Sequence, residues 1–433
     1  MGSGAPTLQV DRSLRRALRR FDEDRLRWLD DAAALGPVAG LRLGPVTAWV
    51  VTDPSLARTI LIAESARWRR PPALVTPIRV GVGQNLFTQS DRAWEHVQPV
   101  LAPVFRAKSL AGSLASLSDV LRDEVRAVPH DVDVDVMALM QRIVLIAASW
   151  VLFGERLDRA AADELVVHQR AVVDWVGDRI GRLSGVLPVA IGSEATSMRE
   201  HRDALREHGN AVLVRARNRS GGSFASALLS TERKASRRSD DELVGQILGM
   251  LLAGTETTAA ALVWALVHGS ANPAEWERIR IDPSQTRSYV FETLRLTPPV
   301  WGIPRTPRRA AVHLSTDGVE QRVRRGAVVT IYVRGMNRDP LVWDDPGAFH
   351  PARHRDGPAP ALIPFGLGPR GCIGQHLALG ELLQLLPLLA GHGDVSIASD
   401  VVEDPHFALR PDRDVTGRFS CASSPSMPTR VIT

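Results

Sequence analysis

Cysteine is nearly absent from this chain: 433 residues hold two, Cys372 and Cys421. That excludes a disulfide framework and leads us to expect a reducing compartment. No second cysteine or histidine pair has the spacing of a closed zinc site, which needs four ligands. There is no Gly-x-Ser-x-Gly elbow, Walker loop or dinucleotide fingerprint, so a fused reductase is not expected. No zinc-finger spacing, RNP motif or long basic arm occurs, so nucleic acid is not an expected partner. No signal peptide or membrane anchor is visible, and the expected location is cytoplasmic. Internal repeats and low-complexity linkers are also missing. The expected organisation is a flexible N-terminus over 1–10 and a single domain over 11–433.

What is present is ordinary globular material, with 44% hydrophobic and 23% charged residues. The formal net charge is +5 and the pI about 9.9. This describes an arginine-rich surface, or a basic face for an acidic protein partner. Helical periodicity is read over 8–35, 109–127, 134–154, 157–178 and 194–217. Residues 41–51 read as a hairpin broken at Gly44-Pro45. Asp53-Pro54 opens a short helix. The prolines and glycines of 65–88 read as a long loop, and a helix from Asp91 is expected to end or kink at Pro99. Residues 219–223 read as a linker and 233–238 as a solvated basic loop. Residues 311–333 alternate as strands.

One apolar run, Leu243 to Gly269, is long enough to resemble a membrane span. It carries Gln246 and Glu256, so a buried central helix is the better reading. Ser239 and Glu242 form a capping box ahead of it, and the helix is expected to reach Gly269. A glutamate in mid-helix needs a partner or a purpose, because desolvating a carboxylate is costly. Thr257 is positioned to hydrogen-bond the carbonyl of Ala253, and Gly254 weakens the same turn. The bent turn would leave a groove for dioxygen and a water; the plainer reading is a buried polar network. Glu292 and Arg295 sit three apart on one helix face.

The stretch Phe365 to Gly374 is Phe-Gly-Leu-Gly-Pro-Arg-Gly-Cys-Ile-Gly. Four glycines and a proline in ten residues make a fixed loop. An apolar helix follows, so Cys372 stands at a helix N-terminus, where the macrodipole lowers a thiol's pKa. Arg370 offers a planar fork to a carboxylate. A thiolate beside a carboxylate-binding arginine suggests haem, with its iron and two propionates.

At these residues the chain resembles the cytochrome P450 haem-thiolate monooxygenases. Phe365, Gly368, Arg370, Cys372 and Gly374 match the ligand-loop pattern Phe-x-x-Gly-x-Arg-x-Cys-x-Gly. Residues 253–258 resemble the oxygen-activation motif, and Glu292-x-x-Arg295 with Phe349-x-Pro351-x-Arg353 resembles the family's charged network. The four motifs fall in family order, and the likeness covers about residues 40–410.

The resemblance implies a mainly α fold with small β-sheets, a triangular prism holding haem b between the long central helix and the Cys372 helix. It implies Cys372 as the axial iron ligand and Glu256 and Thr257 as the catalytic pair. Haem contacts are implied for Trp94, Ala253, Arg305, Phe365, Gly366, Arg370 and Gly374. Where the family has an arginine four residues after the tryptophan, this chain has Gln98. Leu86, Met250, Ala253, Val300, Trp301 and Ile303 are expected to line an apolar substrate pocket. One oxygen atom of O2 would enter a hydrophobic small molecule by hydroxylation or epoxidation, in natural-product biosynthesis. Electrons would come from a separate ferredoxin or flavodoxin, with NAD(P)H used only through its reductase. Peroxide-driven, ring-coupling or desaturating chemistry is the alternative, and a haem sensor without turnover the more distant one.

Overall fold

Ser239 accepts a hydrogen bond from the amide of Glu242 and so caps the longest helix, Asp240–Ala271, of 32 residues. The computed structural model describes residues 4–181, 193–218, 224–234, 239–309, 311–316, 319–398, 401–412 and 414–421. The 219–223 linker and most of the 233–238 loop lie outside the described residues. The long helix is apolar on nearly every face, and its neighbour Val136–Phe153 is equally apolar. Both are long and apolar enough to cross a membrane, yet 72% and 83% of their apolar windows are buried in the protein. A helix without a polar face belongs in a core, and this pair forms the centre. Around it pack Ala107–Arg126, Thr286–Leu296 and Gln375–His392.

The fold is mostly helical with small sheets. The largest sheet has six strands, in the order Thr7–Asp11, Val38–Leu43, Val46–Val51, Val329–Ile331, Ile303–Pro307 and Trp68–Arg69. The expected hairpin is its second and third strands, turning at Gly44 with φ +60. The alternation over 311–333 becomes the antiparallel pair Val312–Thr316 and Val319–Val323 and then Val329–Ile331.

Three expectations need correction. Residues 7–11 do not stay loose: they pair in parallel with Gly40–Leu43, and Val10 is buried. Residues 65–88 are not one long loop, because Pro72–Val82 is a helix. Pro72 opens it at a position that needs no amide hydrogen, Pro77 gives up one backbone bond while its ring is buried, and Gly83 ends it at φ +85. The helix from Asp91 likewise runs past Pro99 to Leu101 and tightens into a 3-10 turn, Ala102–Phe105.

Candidate functional site

The Phe365–Gly374 loop is held by its own backbone. The amides of Gly366, Gly371 and Cys372 donate to the carbonyls of Ile363, Gly368 and Phe365 at 3.0, 3.0 and 2.8 Å. Gly368 has φ +71, and a Cβ there would lie 2.1 Å from the Leu61 carbonyl oxygen, so glycine is required. Gly374 caps the helix Gln375–His392. The thiol of Cys372 opens onto a cavity but is otherwise enclosed by protein. Burial pushes it above its ordinary pKa, with the Gly374 amide acting the other way. The expected lowering by the helix end is therefore outweighed by desolvation.

The cavity has a volume of about 1030 Å³. Leu86, Met250, Ala253, Val300, Trp301 and Ile303 all line it, as do Trp94, Arg305, Phe365, Gly366, Arg370 and Thr257. One face of the central helix supplies Gln246, Gly249, Met250, Ala253, Thr257 and Ala261, which is the i, i+3, i+4 repeat of a helix wall. Thr257 Oγ1 donates to the Ala253 carbonyl at 2.7 Å, as its spacing implied. Glu256 faces elsewhere. Its Oε2 accepts from Gln141 Nε2 at 2.8 Å on the neighbouring helix, and its Oε1 has no partner. Burial raises the Glu256 carboxyl above the ordinary range, and the charge of Arg410 and the Gln141 hydrogen bond offset part of this.

Cations gather at one edge of the cavity. The Arg370 guanidinium lies 4.1 Å over the Trp94 ring, and its Nη2 donates to Asp91 at 2.7 Å. Arg308 pairs with the same carboxylate. Nη1 of Arg370 is buried without an acceptor. Burial, with Arg370 nearby, lowers Arg305 to about 10. Arg70, Gln246 and His406 also border the cavity and were missed in the sequence. Arg70 was hidden in a proline-rich stretch read as loop; the single signal at Gln246 was a polar side chain in an apolar helix. A thiol on one wall, apolar walls beside it and guanidinium groups with an unused donor at the edge fit haem b: iron, macrocycle and propionates.

Behind the ligand loop, Arg295 holds Glu292 with two hydrogen bonds of 2.8 Å, and both side chains are fully buried. Arg353 joins at 3.3 Å, the His350 amide at 2.8 Å and His354 Nε2 at 3.0 Å. Arg295 also donates to the carbonyls of Asn337, Pro346 and Ala348. Burial pushes the Glu292 carboxyl up, but the hydrogen bonds from Arg295, His354 and the His350 amide outweigh it and hold it at about 2. The triad read from the sequence is thus assembled, with His354 an addition.

Comparison with known proteins gives the family of the chain. The family pattern described as Cytochrome P450 matches residues 32–405. Cyclooctat-9-en-7-ol 5-monooxygenase of Streptomyces melanosporofaciens is 25% identical over 392 residues, covering 84% of each chain. The mitochondrial 25-hydroxyvitamin D-1 alpha hydroxylase of Mus musculus is 26% identical over 430 residues, covering 84% of this chain and 81% of its own. The fold is shared with CYP175A1 from Thermus thermophilus, at a TM-score of 0.79 and 22% identity over 96% of this chain and 100% of that one. With the pattern spanning most of the chain and Cys372 set in its loop on the cavity wall, this protein belongs to the cytochrome P450 family of haem-thiolate monooxygenases.

Proposed function

We propose that this monooxygenase inserts one atom of dioxygen into an apolar natural product, using electrons from a separate ferredoxin or flavodoxin and its reductase. The observation that carries the reading is that Cys372 and Thr257 border one cavity whose lining is largely apolar. The Streptomyces relative is named for oxidation of cyclooctat-9-en-7-ol, an alkenol, which supports a substrate with few polar groups.

Haem bound here supplies dioxygen activation at an iron ligated by Cys372. The chain does the rest. Thr257 Oγ1 has committed its own hydrogen to the Ala253 carbonyl, so its lone pairs are available to accept from a water in the cavity. Glu256, one residue earlier, is buried and faces Gln141 on the neighbouring helix rather than the cavity. The charge of Arg410 acts on it, and Arg410 is paired at 2.8 Å with Asp174, which is half exposed. In this reading Glu256 takes up protons from that side and passes them around the turn to the water held at Thr257 Oγ1. Leu86, Met250, Val300 and Ile303 exclude bulk water and orient the substrate by shape.

The test is Thr257→Ala, assayed with a surrogate ferredoxin and reductase and a ligand found by spectral titration of a metabolite panel. Haem content should be unchanged, product per reducing equivalent should fall several-fold and hydrogen peroxide should rise. Unchanged coupling would remove Thr257 from proton delivery.

A further inference from the structure

The helices Arg159–Gly181 and Ser193–Asn218 pack against each other along a seam of apolar side chains. Leu165 and Val172 lie three residues before and four after His168, so all three share one face of the first helix. Met198 and Leu205 stand in the same relation to His201 on the second. All four apolar side chains are buried. The packing that buries them brings the two histidines together. Nδ1 of His168 and Nδ1 of His201 are 2.8 Å apart, with ring centroids at 5.1 Å and 55° between the rings.

Imidazoles that meet nitrogen to nitrogen share one hydrogen, since one Nδ1 must donate and the other accept. Neither Nε2 has a protein partner among the described residues. Both rings are half-buried and neither lines the cavity. The surroundings tolerate a cation. Glu164, one turn before His168 on the same face, is exposed and forms no ion pair among the described residues. Arg170 is paired with Asp135 and Asp414, and Arg202 with Asp203. Arg199, two residues before His201, stands on a different face of its helix.

Divalent zinc holds imidazole nitrogens at about 2.0–2.1 Å, and two nitrogens on neighbouring coordination positions are then about 2.8–3.4 Å apart. The observed 2.8 Å stands at the edge of that range, so a small widening and a turn of the rings aim both lone pairs at one ion. No third histidine, cysteine or carboxylate joins the pair among the described residues, so water completes the coordination. We propose that His168 and His201 form a binding site for a borderline divalent transition-metal ion, Zn2+ or Ni2+, which ties the two helices together. The ion takes the place of the hydrogen between the rings. The ring that donated it changes tautomer and carries its hydrogen on Nε2, so no proton is gained or lost.

The experiment titrates Zn2+, Ni2+ and Mg2+ into the haem-loaded enzyme, freed of any affinity tag, by calorimetry and follows the melting temperature of each mixture. The proteins are wild type, His168→Asn, His201→Asn and His96→Asn, the last an exposed histidine on another helix. Wild type and His96→Asn should bind one equivalent of Zn2+ or Ni2+ and melt higher in its presence. His168→Asn and His201→Asn should each weaken binding by about tenfold or more and lose the melting shift. Mg2+, which prefers oxygen ligands, should do neither. The reduced carbon monoxide spectrum of each variant confirms that it is folded around its haem. Should His168→Asn fail to fold, His201→Asn carries the same comparison. Absence of saturable Zn2+ or Ni2+ binding to wild type would overturn the proposal. So would binding that survives unchanged in His168→Asn or His201→Asn, or equal binding of Mg2+, which would make carboxylates the ligands.

Discussion

Glu292 gathers Arg295, Arg353, His354 and the His350 amide around one fully buried carboxylate. Removing it strands Arg295, whose other acceptors are neutral carbonyls, and a stranded buried charge costs roughly 3–5 kcal/mol. Glu292→Ala should therefore accumulate as haem-free or misfolded protein; normal haem content and a normal melting temperature would show the network to be dispensable. His268 makes a pH prediction. Burial lowers it to about 4, so it is neutral in the fold, while the unfolded chain takes up a proton below about 6.5. Stability should fall as pH drops from about 6.5 to 4, by about 3 kcal/mol from this residue. The Glu292 contribution is lost lower, between about 4.5 and 2. Urea unfolding of wild type and His268→Gln at pH 7 and pH 4.5 checks this: the variant should lose about 2–3 kcal/mol less on acidification, and equal losses would contradict it. The glutamate and its two arginines were legible because their spacing matches a family pattern. His354 was not, since nothing local separates it from a surface histidine.

Among the elements, the central helix makes the clearest demand on its residues. Gly245 looks like a weakness, since glycine inside a helix costs about 1 kcal/mol relative to alanine. A Cβ there, however, would lie 2.5 Å from the Gln84 carbonyl oxygen, and one at Gly249 would lie 2.6 Å from Asn85 Cβ. The helix is bare at these points so that the chain after Gly83 can approach it, with Gln246 Oε1 accepting from the Leu86 amide at 2.8 Å. Gly245→Ala should accordingly destabilise by about 1–3 kcal/mol despite its better helix propensity. Thermal unfolding decides the matter, and a stabilised variant would mean the contact is not maintained. The capping box and the apolar run made this helix readable over almost its whole length. Pro72–Val82 was unreadable as a helix because its first proline marks a helix start and a loop equally well.

Across the whole molecule, the cavity draws on distant parts of the chain: Phe21 and Arg25 near one end, His406 and Phe407 near the other. The motifs in family order made the architecture and the ligand loop legible. What stayed hidden depends on registers between remote strands. Arg70 meets Arg305 only through the pairing of Trp68–Arg69 with Ile303–Pro307, and Thr7–Asp11 is a strand only because the edge of Val38–Leu43 is there to receive it. The central claim is that Cys372 on the cavity wall ligates iron, whereas Cys421 stands exposed elsewhere. The most direct measurement is the reduced carbon monoxide difference spectrum of wild type, Cys372→Ser and Cys421→Ser. Wild type and Cys421→Ser should show the thiolate-ligated Soret band and Cys372→Ser should lose it. Retention of that band in Cys372→Ser, or its loss in Cys421→Ser, would contradict the account.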